Sequence, residues 1–314
     1  MWPLKNYYKH MKRLLFLLTI SLLLQACKWD SPDTRSKPLI VATTSILADA
    51  ISVIVGDSAD VRALMPAGVD PHLYKASVRD LDLLTEADLV IYHGLYLEGK
   101  MTEIFEKLEF SQRLINISEE LPEEKLLRTG PEAHSVDPHI WFDVKLWTLA
   151  MDYSAKELIA WKPEWKDYIQ ENWSTYQKDL VAADQEIQEK VSELHAKGMA
   201  LVTAHDAFAY FGEAYGFEVR GLQGLSTLSE PGLRDLGDLA QFIIDRNIKA
   251  VFAEQTISPR ALKALVEACE QKGHQIELAG PLFTDSLDAA NTPAGTYLGM
   301  IKTNLEIIYQ ALVS

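Results

Sequence analysis

Cysteine is almost missing from this chain. Its 314 residues hold two, Cys27 and Cys269, so no cysteine cluster exists to bind zinc. Long apolar runs are missing too. The conspicuous one, Leu14 to Leu24, is about 11 residues and falls short of the roughly 20 that cross a bilayer as a helix. Basic charge is in deficit: 30 Lys and Arg face 45 Asp and Glu, a formal net charge of -15. That balance argues against nucleic acid and against a polybasic membrane patch, since both demand a positive surplus. No tandem repeat of solenoid type is visible.

The N-terminus is where the few apolar and basic concentrations lie. Lys5, Lys9, Lys12 and Arg13 precede the apolar run, and no acid interrupts them. A basic stretch followed by a short apolar one has the layout of an export signal, residues 1–26. The run ends in Leu24-Gln25-Ala26-Cys27, which resembles a bacterial lipobox, with Cys27 the lipidated first residue of the mature chain. The plainer alternative is an ordinary signal peptide with an incidental cysteine. Polar residues 27–38 then read as a tether. Removing the leader's four bases from 30 leaves 26 against 45 acids, or -19. With Cys27 acylated, Cys269 is the only thiol left, and an intramolecular disulfide is excluded. Cys269 falls on the apolar stripe of a helical pattern, so it is expected in the core.

A hydrophobic content of 48% is enough for a sizeable core, and about 285 mature residues suggest two domains. Short β-branched runs alternate with helical patterns twice over. The first set of strands is Leu39 to Thr44, Val61 to Met65, Asp88 to Tyr92 and Leu114 to Ile117. The second is Met199 to Thr203, Glu218 to Leu222, Ala250 to Ala253 and Gln275 to Leu278. Such alternation implies parallel sheets in α/β layers. Between the sets, no glycine or proline follows Pro163 until after Leu194. Apolar residues recur there at spacings of three or four, from Trp165 to Val191, which predicts one long, stiff helix. Its apolar stripe is too wide for a coiled-coil seam. The expected organisation is an α/β protein of two parallel-sheet domains, residues 39–162 and 196–314, joined by a rigid helix over 163–195.

One phrase occurs twice: Val69-Asp70-Pro71-His72 and Val136-Asp137-Pro138-His139. Proline fixes its own φ and disfavours helix at the preceding Asp, so each His stands on a stiff, non-helical turn. Two stiffly held imidazoles begin a metal site. His205 comes after the strand that opens the second set, and Asp285 comes after its last strand. Ligands in open α/β sheets gather at such strand ends. Two groups from each half place a cation in the cleft between domains. Three imidazoles and a carboxylate suit zinc, with manganese or iron possible. Four protein ligands leave no open position for a substrate, which points to carrying the metal rather than catalysis with it.

These motifs, together with Ala204-His205-Asp206-Ala207-Phe208, Gly221-Leu222-Gln223-Gly224-Leu225-Ser226 and Thr284-Asp285-Ser286, give the chain a family likeness. Over nearly all of residues 39–314 it resembles the zinc and manganese solute-binding lipoproteins of bacterial ABC transporters. The resemblance implies that His72, His139, His205 and Asp285 are the metal ligands. It also implies capture of zinc, or next manganese, as transported cargo and delivery to an ABC permease. The protein would be a monomer, held to the cell envelope by its lipid and facing the periplasm or exterior. Relatives favouring manganese or iron often carry Glu at the position of His205. Zinc receptors often carry a His-rich acidic loop before the second histidine, whereas Ser118 to Ser135 offers five Glu and only His134.

Glu254, Asp206 and His93 are the residues expected to support the ligands, with Asp70 and Asp137 as turn formers or imidazole orienters. Gln223 and Ser226 are expected along the cleft, and His195 and His274 near helix C-termini. A zinc hydrolase is a rival reading, with Glu254 cast as general base. An adhesin-type lipoprotein is another. A siderophore or haem receptor is disfavoured by the paired turns.

Overall fold

The computed structural model describes residues 36–129, 135–195 and 200–313. Cys27, the export signal, the first part of the tether and His134 lie outside the described residues. No described helix is long and apolar enough to cross a membrane.

Strand β1 (Leu39–Thr44) is buried at all six positions, as a central strand covered on both faces should be. With β2 (Asp60–Met65), β3 (Leu89–Tyr92) and β4 (Leu114–Asn116) it forms a parallel sheet of order β2-β1-β3-β4. Helix α1 (Ser45–Val55) begins where the Thr44 hydroxyl accepts the Leu47 N–H. Helix α2 (Val78–Glu86) starts on a reciprocal Ser77/Asp80 capping box. Helix α3 (Thr102–Leu108) precedes β4. A two-stranded antiparallel pair, β5 (Arg128–Thr129) and β6 (Ser135–Val136), leads into the second Val-Asp-Pro-His turn. Strands of two residues carry no periodicity, and sequence patterning gave no sign of this pair.

After α4 (Val144–Trp161) and a one-turn 3-10 segment at Pro163–Trp165, α5 runs unbroken over Lys166–His195. Its stripe of Ile169, Trp173, Tyr176, Leu180, Ala183, Ile187 and Val191 is buried. The helix touches α1, α4 and the C-terminal helix α9 (Tyr297–Val313). At about 1.5 Å per residue it extends roughly 45 Å. The expected long helix is therefore present, with one face sunk in the core.

The second sheet is also parallel, of order β10-β9-β7-β8, from β7 (Ala200–His205), β8 (Glu218–Gln223), β9 (Ala250–Glu254) and β10 (Glu277–Leu282). Helix α6 (Ala209–Tyr215) links β7 to β8, and α7 (Leu233–Asp245) and α8 (Arg260–Gln271) flank β9. The expected end of the last strand at Leu278 is too early. Gly280-Pro281 reads as a strand breaker, but β10 lies at the sheet edge, where proline forfeits no ladder bond, and it continues to Leu282 with a register shift. Cys269 is buried and free, as expected. His274 is held by the Ile248 carbonyl, 2.6 Å from Nε2.

Hydrophobic burial does not stop between the sheets. One cluster takes in Ile40, Ala42 and Ile91 from the first sheet, Leu201 and Phe252 from the second, and the stripe of α5. Each fully buried Ile, Leu or Phe among them contributes about 1.5–3 kcal/mol. The two sheets therefore share one core.

Candidate metal centre

His72 stands on the turn after β2, and His139 on the turn after β6. In both turns the Asp carboxylate accepts the N–H of the His two residues on, at 2.8 Å, so the repeated sequence builds the same local bond twice. His205 is the last residue of β7, and Asp285 follows the end of β10. One ligand atom from each of these four buried residues lies within 4.8 Å of every other.

The separations are those of a coordination shell. His139 Nε2 is 3.2 Å from His72 Nε2, 3.4 Å from His205 Nε2 and 3.5 Å from Asp285 Oδ1. Asp285 Oδ2 is 3.5 Å from His205 Nε2 and 3.9 Å from His72 Nε2. A tetrahedron with zinc–ligand bonds of about 2.0–2.1 Å has edges of about 3.3–3.4 Å. Both Asp285 oxygens are buried without a hydrogen-bond partner. Such a carboxylate is costly unless a positive charge meets it.

Outer contacts aim the rings. Asp137 Oδ1 accepts from His139 Nδ1 at 2.7 Å, which turns Nε2 toward the centre. Glu254 ends β9 in step with His205 on β7, since Thr203 pairs with Phe252 two residues earlier on each strand. Its Oε1 accepts the His205 backbone N–H at 2.8 Å and its Oε2 lies 2.5 Å from the ring Nδ1. The Thr284 hydroxyl donates to the same Oε2 at 3.1 Å. Trp141 Nε1 donates to the Thr284 carbonyl at 2.9 Å, tying the second turn to the Asp285 segment. Gly221 lies against the His205–Asp206 backbone, where a Cβ would collide.

Electrostatics separate the histidines. Burial pushes the His72 imidazole down to about 3, so it is neutral and ready to coordinate. Burial alone would also lower His205, but the charges of Glu254 and Asp285 outweigh it and raise the group well above its ordinary value. Burial would raise the Asp285 carboxyl, yet the imidazoles around it, His205 foremost, hold it below the usual carboxylate range.

The expected supporting residues divide. Glu254 holds His205 directly. His93 meets none of the four groups by hydrogen bond; its Nε2 is 2.8 Å from the Thr44 hydroxyl, and its ring lies edge-on to Trp141, which in turn meets His139 edge-on. Burial pushes the His93 imidazole down to about 3. Asp206 forms no hydrogen bond to an imidazole; instead it lines a cavity of about 430 Å³ with His72, Pro138, Gly224, Leu225 and Ser226. Gln223 pairs with His205 across β7 and β8. Thr284 stands in the Thr284-Asp285-Ser286 motif, but the motif alone does not show that its hydroxyl bonds Glu254.

The model of the family described as zinc-uptake complex component A, periplasmic, matches residues 40–311. The manganese-binding lipoprotein MntA of Bacillus subtilis (strain 168) is 42% identical over 273 residues, which cover 87% of this chain and 89% of MntA. The zinc-binding protein TroA of Treponema pallidum (strain Nichols) is 41% identical over 276 residues, covering 88% of this chain and 89% of TroA. A solved structure of the periplasmic zinc-binding protein TroA from Treponema pallidum aligns with a TM-score of 0.85 at 41% identity, over 88% of this chain and 99% of that one.

Proposed function

The chain belongs to the zinc-uptake complex component A periplasmic family, and from that premise we propose that it is an extracytoplasmic receptor that captures a divalent transition metal and passes it to an ABC permease. His72, His139, His205 and Asp285 hold the metal. The observation that carries this reading is the convergence of three buried imidazoles on the buried Asp285 carboxylate. Zinc is the first cargo and manganese the second. MntA and TroA are similar to the chain to nearly the same degree, so their names do not decide between the metals. The donor set supports zinc, because imidazole nitrogens suit zinc while carboxylate and water oxygens suit manganese.

A hydrolase would need an open coordination position and a free general base. Glu254 is a poor candidate, because both its oxygens are engaged by His205. The protein is not an enzyme in this reading. Residues 39–162 and 196–314 act as two domains about the 163–195 helix, in a monomer tethered to the membrane by acylated Cys27. Elemental analysis of the purified mature chain, followed by competition titration, tests the proposal. One bound metal per chain with zinc tighter than manganese is expected; a chain that binds neither contradicts it.

A further inference from the structure

The turn carrying His72 is suspended between two points of the second half of the chain. Near the core, Ser286 Oγ accepts the Gly68 N–H at 2.7 Å and lies 3.2 Å from Ser45 Oγ. Ser45 Oγ in turn accepts the Leu287 N–H at 3.0 Å, so this contact is braced from α1 as well. The other point is single. The Thr227 hydroxyl donates to Asp70 Oδ2 at 2.6 Å, joining residues 157 positions apart. Asp70 is then committed on both oxygens, because Oδ1 accepts the N–H groups of His72 and Leu73.

Position gives this bond its role. Thr227 follows Gly224, Leu225 and Ser226 in the β8–α7 connection, and those three residues line the cavity that His72 faces. Among the described residues no hydroxyl of the second half reaches the carboxylate of the second turn: Asp137 uses it on its own histidine, and Tyr210 donates instead to the Asp137 backbone carbonyl at 3.0 Å. We propose that Thr227 is a positioning residue that latches the Asp70–His72 turn across the mouth of the site and sets the rate at which the metal escapes. The metal leaves when this bond opens, because His72 is the donor on the cavity side and the other three donors are fully buried. A hydrogen bond to a carboxylate is stronger than one between neutral groups, so its loss should accelerate release measurably.

The proposal rests on the metal-receptor reading, and its test separates the two. Zinc(II) release from the mature chain into excess chelator is followed by stopped flow for the parent, Thr227→Val, Thr227→Ser and His72→Ala. Val keeps the shape and removes the hydroxyl; Ser restores it. Roughly tenfold faster release is expected in Thr227→Val, equivalent to about 1.4 kcal/mol, with Thr227→Ser near the parent and the apo melting temperature unchanged. Release in Thr227→Val within twofold of the parent would overturn the latch, as would a Ser variant as fast as Val. An acceleration that only tracks a loss of apo stability would overturn it too. If the parent fails to bind zinc, or His72→Ala binds as tightly as the parent, the receptor reading itself falls.

Discussion

In the first Val-Asp-Pro-His turn, Asp70 caps the His72 amide with one oxygen and reaches across to Thr227 with the other; in the second, a single oxygen of Asp137 takes both the amide and the ring of His139. The same four residues thus build the same Asp-to-His amide bond with two outcomes. His139 is locked from behind and fully buried, in contact distance of the other three donors. His72 faces a cavity, its ring unheld by its own Asp, and is anchored through its turn. A repeated motif specifies the turn, while what the turn touches decides whether its histidine is fixed or movable.

That asymmetry can be broken at the ligands first. His139→Ala should weaken zinc by more than about 100-fold, beyond the cost of losing an outer partner. His72→Ala should cost less, since water from the cavity can take the vacated position. Competition titration of both variants checks the order, and equal losses would remove the distinction between the turns. The carboxylates come next. Asp137→Asn should cost about 10–100-fold in zinc affinity, because it weakens the bond that orients the ring. Asp70→Asn should cost no more than about tenfold, since only the turn and its latch are touched.

The smallest effect is in pH. A protonated His205 cannot coordinate, so binding must expel its proton. Its raised value means that the proton is retained above about 6.5, where a free imidazole would have lost it. In the apo fold the charged ring's stabilisation is present below about 6.5 and lost as pH rises through the raised value. Zinc affinity should run the opposite way, still rising between about pH 6.5 and 8. His72, held down to about 3, adds no such dependence in that range. Glu254→Gln removes the main charge that raises His205, so the rise should shift to lower pH. Titrations across this range in parent and variant decide it; identical profiles would detach Glu254 from the proton.

Much of the fold is legible because it is local. The β-branched runs mark the strands of both sheets to within a few residues, and the Gly- and Pro-free stretch after Pro163 marks α5. The four converging donors are legible for a related reason: each sits on a strand end or a proline-stiffened turn. Glu254 shares that signal, ending the strand beside His205. What stayed hidden is non-local. Nothing near Thr227 or Ser286 announces a bond to residues 157 or 218 positions away. Asp206 misled because adjacency to His205 in sequence is not adjacency to its ring: the chain leaves the strand there, and Asp206 turns to the cavity. Asp70 and Asp137 could not be told apart, since their surroundings come from different partners and not from their own motif.

In the proposed receptor, three imidazoles and one carboxylate enclose a single divalent metal without help from solvent. X-ray absorption at the zinc edge of the loaded mature chain reads that shell directly. Four nitrogen and oxygen neighbours at about 2.0–2.1 Å are expected, with the outer scattering of three imidazole rings. A six-coordinate oxygen shell, or one lacking the imidazole pattern, would contradict it.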